Sequence, residues 1–160
     1  MHWRLKRSEY ERRKGEGNRR AFRRIVASGE VPGLLAYDGQ EPIAWCAVAP
    51  RPSYPTLERS RVLARVDDAP VWSVVCLFVA RPHRRRGLTV SLLRAAADHV
   101  RRRGGSVVEG YPIEPKRKGK GAGEIPPVFA WTGLASAFRK AGFREVARRS
   151  PTRPIMRLAL

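Results

Sequence analysis

The sequence predicts an α/β fold in which one sheet is flanked by helices. Two apolar runs, residues 34–37 and 43–49, are joined through Asp38-Gly39-Gln40-Glu41, which is typical of a β-hairpin. A third apolar run, residues 71–80, precedes a helical pattern and then a fourth run, residues 106–111. A strand–helix–strand unit of this kind forms parallel neighbours with a right-handed crossover. At 160 residues the chain fits one domain, so we expect a single unit.

The segments before the third apolar run predict one helix and one long connection. Asn18 is a favourable N-cap for a helix ending near Ser28, with its arginines on the polar face. Trp3 to Lys6 could form a shortened first strand, although we favour a start inside the domain, with an upstream strand and helix missing. Residues 50–70 are polar and proline-rich, with a short helix suggested across residues 57–66.

The second half of the chain predicts two helices and three strands. The helix after Thr89 is expected to end near Arg103, because its apolar side chains recur at four-residue spacing and Gly104 follows. Thr132 is expected to cap a shorter helix that ends at Gly142. The last two strands are expected at residues 145–149 and 155–160. The basic stretch 116–121 is interpreted as a mobile loop at the edge of a binding site.

The composition is strongly basic, with 33 Lys and Arg against 14 Asp and Glu and a formal charge of +19. A continuous basic surface could bind nucleic acid, whereas arginines on helix faces and in loops are ordinarily solvated. No nucleic-acid recognition motif is present, so we expect no specific nucleic-acid partner. The apolar runs are too short for a membrane span and the start lacks a secretory signal pattern, which predicts a cytoplasmic protein without a membrane partner.

Neither cysteine nor histidine spacing predicts a metal site. Cys46 and Cys76 each lie within an apolar run and are expected to pack in the core without forming a disulfide. The histidines, His2, His83 and His99, are scattered along the chain.

The stretch Arg84-Arg85-Arg86-Gly87-Leu88-Thr89 is the strongest functional motif. It lies between the central apolar run and the following helix, where glycine permits close backbone approach and the helix start offers unpaired N–H groups to an anion. Arg12-Arg13-Lys14-Gly15-Glu16-Gly17 fits the same string, but no strand precedes it, so we interpret it as a solvated turn ahead of a helix. The string at residues 84–89 therefore predicts a phosphate-binding loop.

This loop, directly after Cys76-Leu77-Phe78-Val79, resembles the acyl-coenzyme A signature of the GCN5-related N-acetyltransferases, the GNAT superfamily. Phe138-Arg139-Lys140-Ala141-Gly142-Phe143 is similar to the family's last helix. The resemblance implies a mixed, mainly antiparallel sheet flanked by helices, with acetyl-CoA as co-substrate between two splayed strands. It implies binding by the following residues: Leu77, Phe78, Val79, Arg84, Arg85, Arg86, Gly87, Leu88, Thr89 and Val90.

The chain departs from the family at the catalytic positions. Many members use a carboxylate on the central strand, where this chain has Ser73, and a tyrosine on the last helix, where it has Phe138. Glu109 and Tyr111 are the nearest titratable substitutes, so we predict them as candidate catalytic residues acting through water. Each could equally be structural, Glu109 as an exposed carboxylate at a strand end and Tyr111 as a packed wall.

Three functions therefore stay open. The first is an N-acetyltransferase acting on a primary amine of a small molecule or peptide by direct attack on the thioester. The second is an acyl-CoA-binding relative with little or no catalysis, and the third is a basic nucleic-acid-binding protein. A homodimer is also possible, since an exposed sheet edge can pair with a second copy.

Overall fold

The computed structural model describes residues 1–115 and 127–160. It contains one six-stranded sheet in the order β1-β2-β3-β4-β6-β5. The strands are β1 (Gly33–Asp38), β2 (Glu41–Pro50), β3 (Trp72–Val79), β4 (Val107–Gly110), β5 (Arg144–Arg148) and β6 (Pro154–Ala159). Only β3 and β4 pair in parallel; the other four pairs are antiparallel. The predicted fold class, a mixed and mainly antiparallel sheet flanked by helices, is confirmed.

The helices are α1 (Arg7–Arg12), α2 (Glu16–Ala27), α3 (Pro55–Glu58), α4 (Leu88–Arg102) and α5 (Ala135–Lys140). Short 3₁₀ turns occupy Arg51–Ser53, Arg81–His83 and Pro127–Thr132. None of the helices in the described part of the chain has the length and apolar composition that a membrane crossing requires. The predicted basic loop at residues 116–121 lies outside the described residues.

The start of the chain differs from the prediction, because two helices precede the hairpin rather than one. α2 begins at Glu16, after Gly15 with φ 75°, and Asn18 is therefore inside the helix instead of capping it. The Asn18 side chain is buried and its Nδ2 donates to the carbonyl of Tyr10 at 3.0 Å. Residues 3–6 do not form a strand. The glycine-containing string at residues 12–17 was expected to be a turn ahead of a helix; residues 13–15 do form the turn between α1 and α2, but Glu16 and Gly17 are already the first residues of α2.

Two other helices also differ from the prediction. The helix expected at residues 57–66 is wrong in its bounds, because α3 ends at Glu58. The segment that follows is held by hydrogen bonds from Arg51 to the Leu63 carbonyl and from Arg65 to Glu58. Thr132 does not cap α5, whose N-cap is Leu134 without a side-chain hydrogen bond. Its hydroxyl instead accepts a hydrogen bond from Arg153 Nη1 at 2.8 Å and is buried. Thr132 and Glu58 thus make tertiary contacts, with Arg153 and with Arg51 and Arg65, that local sequence patterns do not reveal.

The main core lies between the sheet and α4. Its buried side chains come from one face of that helix and from the central strands, among them Leu93, Val100, Val48, Val74 and Val108. The opposite face of the helix carries exposed Arg94, Arg101 and Arg102. Because α4 begins directly at the end of the loop after β3, packing of its apolar face fixes that loop against the sheet.

Candidate functional site

The loop between β3 and α4 has the backbone conformation of an anion-binding turn. Arg85 and Gly87 both adopt positive φ, 63° and 78°, and Gly87 is the N-cap of α4. The N–H groups of residues 85–89 have no backbone acceptor among the described residues, whereas Val90 donates to the carbonyl of Gly87 at 2.9 Å. Consecutive unpaired N–H groups at the positive end of a helix attract phosphate. Five amides are therefore available to an anion.

β3 and β4 separate before the end of β3, so its last residues, which lead into this loop, are not paired with β4. They pair over only three positions, from Trp72↔Val108 to Val74↔Gly110. After Gly110 the chain turns to a different partner, with Ile113 bridging to Leu134 in front of α5. Residues 77–79 consequently have β2 on one side and no strand on the other among the described residues. The predicted splay between two strands is present.

A cavity of about 450 Å³ fills this wedge. We call it the loop cavity. It is bounded by β3, the loop after it, and the segment from Ala130 to Lys140. Nine of the ten predicted cofactor-binding residues line it: Leu77, Phe78, Val79, Arg84, Arg85, Gly87, Leu88, Thr89 and Val90. The tenth, Arg86, does not; its Nη1 contacts His83 Nδ1 at 3.1 Å.

Two large apolar side chains of the loop cavity are open to solvent. Phe78 is 55% exposed and Leu134 is 39% exposed, although both belong to elements that pack on the core. Exposed apolar groups that converge on one concave surface are typical of a ligand site. The cationic Arg84 is held over the strand end, with its Nε donating to the Val79 carbonyl at 3.1 Å. The cavity thus combines an apolar floor with a basic, amide-rich rim.

The sequence did not identify several residues of this cavity. Trp131, Ser136 and Lys140 line it from the far side, together with His83 near the loop. Ser136 and Lys140 lie four residues apart on α5, so the helical spacing places both on one face. This helical spacing could have identified Ser136 and Lys140 from the sequence, but only with the additional knowledge that their face of α5 lies opposite β3.

Glu109 and Tyr111 lie in a buried network instead of lining the loop cavity. Glu109 is fully buried, and it accepts hydrogen bonds from Arg51 Nη1 at 2.9 Å, Tyr111 OH at 2.6 Å and Arg157 Nε at 2.7 Å. The exposed strand-end carboxylate considered for Glu109 is therefore wrong. Tyr111 OH also lies 2.8 Å from Ser73 Oγ and from Arg51 Nη1. In this arrangement both oxygens of Glu109 are engaged by cationic or phenolic donors.

Arg51 is the centre of this network, and the sequence did not reveal it. Its guanidinium is 1% exposed and binds Glu58 Oε1 at 2.6 Å and the Leu63 carbonyl at 2.8 Å, besides Glu109 and Tyr111. The Arg51 bonds fasten the long connection between β2 and β3 onto β4. Burial, followed by the charge of Glu109, raises the pKa of Tyr111 well above its ordinary value, so the phenol stays protonated at neutral pH.

Phe138 is part of the core. It is fully buried and stacks edge-on against Phe143 with ring centroids 5.0 Å apart. Its ring also occupies the space where any Cβ at Gly110 would lie. The residue therefore supports the strand end beside the wedge and has no proton to donate.

No group of three or more His, Cys, Asp or Glu in the described ranges is placed to hold a metal ion. Cys46 is buried and Cys76 half-buried, and both are free thiols. Burial raises the pKa of each thiol above its ordinary value, which favours the unreactive protonated form.

Solved structures share this architecture at low sequence identity. The NatC complex bound to Gag peptide and CoA superposes with a TM-score of 0.55 at 12% identity, over 88% of this chain and 79% of that one. A ribosomal-protein-alanine N-acetyltransferase from Brucella melitensis gives 0.54 at 15% identity, over 91% and 78% of the two chains. Salmonella typhimurium yncA, with its cofactor acetyl-CoA, gives 0.54 at 17% identity, over 91% and 74%. These likenesses establish the fold.

A search of curated proteins finds no match. The family model described as "Acetyltransferase (GNAT) family" matches residues 1–114. The matched region includes α1 and α2, the hairpin, β3 with its loop, α4 and β4, and thus most of the loop cavity. The resemblance to this superfamily is confirmed, as is acetyl-CoA as the co-substrate that the family uses. The chain belongs to the GNAT family of acetyltransferases.

Proposed function

We propose that this chain transfers the acetyl group of acetyl-CoA to a primary amine of a small molecule or peptide. The observation that carries the proposal is the loop cavity, where unpaired amides, cationic side chains and exposed apolar groups meet beside an unpaired strand edge. These are the groups that a diphosphate joined to a long, partly apolar arm requires.

Each part of acetyl-CoA has matching residues in the loop cavity. The N–H groups of residues 85–89 would hold the diphosphate, and Arg84 and Arg85 supply positive charge. Lys140 lines the same cavity from α5 and offers a further cation. Phe78 would cover the apolar part of the arm, while the free backbone edge of Leu77 to Val79 can hydrogen-bond its amides.

Acetyl-CoA supplies a thioester that an amine can attack directly. The amine must be neutral, and a typical alkylamine with a pKa of about 10.4 is protonated at pH 7. Glu109 and Tyr111 are both fully buried, are bonded to each other, and do not line the loop cavity, so neither faces the position where the amine would attack. We therefore assign proton removal to water, and rate enhancement to positioning of the two substrates and to backbone amides of β3.

Within this proposal Glu109 and Tyr111 are positioning residues. Their network joins Ser73 on β3 to β4 at the last paired positions, and so it fixes where the two strands separate. A direct catalytic role for either residue stays a prediction. Glu109→Gln and Tyr111→Phe test it: a changed pH profile of transfer supports proton transfer by that residue, whereas a uniform loss at all pH values supports positioning.

The second candidate function is acyl-CoA binding with weak catalysis. This function is favoured because Ser73, Glu109 and Tyr111 are buried and Phe138 packs in the core, so none of them is exposed to transfer a proton to or from a substrate. Calorimetry with acetyl-CoA followed by thiol detection with a panel of amines separates the two. Tight binding together with amine-dependent thiol release supports the transferase; binding without release supports the weak relative; absence of binding overturns both.

A further inference from the structure

A second cavity, of about 610 Å³, lies on the sheet between the N-terminal helices and strands β2 and β3. We call it the aromatic cavity. Five aromatic side chains line it: Trp3, Tyr10, Phe22, Trp45 and Tyr54. Phe22 and Trp45 meet edge to face with ring centroids 6.0 Å apart, and Leu35 adds an apolar side chain that is 51% exposed. Its size and lining suit a small apolar ligand.

The aromatic cavity adjoins the loop cavity along a single strand. Val75 and Cys76 line the aromatic cavity, and the next residues, from Leu77, line the loop cavity. Val75 is the extra residue of a β-bulge, since Cys76 pairs with Ala47 while Val74 pairs with Val48. The Trp3 indole donates to the Val75 carbonyl at 3.0 Å, and its ring lies 5.6 Å from Trp131 of the loop cavity.

Three polar atoms around the aromatic cavity have no hydrogen-bond partner among the described residues. They are Asn18 Oδ1, Tyr54 OH and Arg4 Nη2. Asn18 is 9% exposed and Tyr54 1% exposed, and both line the cavity, so these polar groups are available to a molecule bound there. Buried polar groups in folded proteins are nearly always paired, and a ligand is one way to supply the missing partners.

The polar atoms of the cavity indicate which hydrogen-bonding groups a ligand should carry. Arg4 is anchored by Glu30 at 2.7 Å through Nη1 and lies over the Tyr54 ring at 5.2 Å, so its guanidinium places a cation in the cavity wall that suits an acceptor such as a carboxylate or carbonyl. Asn18 Nδ2 already donates to Tyr10, so its free Oδ1 requires a donor such as an amine N–H. One ligand therefore needs an N–H donor, an oxygen acceptor and an apolar body.

We propose that the aromatic cavity binds the acceptor amine as an α-amino acid unit with an apolar or aromatic side chain, either a free amino acid or the first residue of a peptide. This deepens the proposed function and rests on it. The amine nitrogen forms a bond to the acetyl carbon as the carbon–sulfur bond breaks. The products are the N-acetyl compound and the CoA thiol; the proton of an initially charged ammonium passes to water.

Acceptor analogues test the proposal on the unaltered protein. Thiol release is measured with L-phenylalanine, phenethylamine, which lacks the carboxylate, and Nα-acetyl-lysine, which presents only a side-chain amine. We expect kcat/KM for phenylalanine to exceed that for phenethylamine at least tenfold, and 3-phenylpropionate to compete with phenylalanine. Equal rates for phenylalanine and phenethylamine would overturn the proposal. A tripeptide beginning with phenylalanine distinguishes a peptide acceptor from a free amino acid acceptor. The acceptor with the higher kcat/KM is the one that the cavity binds.

A matched pair of variants assigns the selectivity to the cavity. Arg4→Met should abolish the preference for phenylalanine over phenethylamine, while Arg20→Met, on the exposed face of α2, should retain it. Acetyl-CoA affinity, measured by calorimetry, should be unchanged in both and shows that the variants are folded. Acetylation of Nα-acetyl-lysine but not of phenylalanine would reject this inference alone, whereas a failure to bind acetyl-CoA would reject the proposed function as well.

Discussion

Substitution of Gly87 by valine should weaken acetyl-CoA binding severely while leaving the fold intact. Gly87 has φ 78°, and no atom lies within 4 Å of a Cβ built there. The unliganded protein should therefore lose only the cost of a left-handed conformation, about 1–2 kcal/mol. The new side chain, however, would stand where the diphosphate must approach. Losing two hydrogen bonds to a charged group costs about 3–6 kcal/mol, so the Kd should rise at least about 100-fold.

Gly104 provides a matched control at the other end of α4. It has φ 74° and likewise no atom within 4 Å of a Cβ, but it lies about 25 Å along the helix from Gly87. Gly104→Val should carry a similar conformational cost and bind acetyl-CoA with wild-type affinity. Calorimetry with both variants checks the expectation. If Gly87→Val bound acetyl-CoA within threefold of the wild type, the loop would not be the diphosphate site.

Three further predictions concern stability. Arg51→Met removes the cation from a buried network and should lower the free energy of unfolding by about 3–5 kcal/mol in urea titration. Arg61→Met, at an exposed position of the same connection, should change it by less than about 0.5 kcal/mol. Equal effects of the two substitutions would contradict a stabilising role of the network. Because the pKa of Tyr111 is raised from 10.0, its stabilisation is complete below pH 10 and lost as pH rises further, so Tyr111→Phe should show a smaller loss of stability between pH 9 and 11 than the wild type. Trp3→Phe, which keeps an aromatic ring but loses the hydrogen bond to Val75, should cost about 1 kcal/mol in the same titration, and no loss would show that this bond is dispensable.

The strands and the phosphate-binding loop could be predicted because their signals are local. Apolar runs bounded by glycine and proline mark the strands, and Gly87 directly after a strand marks the loop. The start of α2 was predicted wrongly for the opposite reason. Asn18 has the residue type of an N-cap, but its amide serves Tyr10 on another helix, and Gly15 turns the chain three residues earlier. A tertiary contact decided the position.

The buried network could not be predicted for a similar reason. Arg51 stands in a polar, proline-rich stretch where an arginine is ordinarily solvated, and its partner Glu109 is 58 residues away. The sequence identifies Glu109 as a titratable residue at a strand end, but its three donors become visible only when β4 lies beside β3 and β6. The aromatic cavity likewise depends on how α1 and α2 pack over the sheet, which no spacing in the sequence encodes.

The short pairing between β3 and β4 divides the sheet into two halves joined at a narrow seam. One half consists of β1 to β3 and the other of β4 to β6, and only three residue pairs connect them along the backbone. A ligand in the loop cavity would contact β3 on one side and, on the other, the segment from Ala130 to Lys140 that leads into β5, and so it would link the two halves. At a concentration 100 times its Kd, such a ligand adds about 2.7 kcal/mol to the stability of the whole protein. The opening that admits the co-substrate is thus also the place where the co-substrate can hold the sheet together.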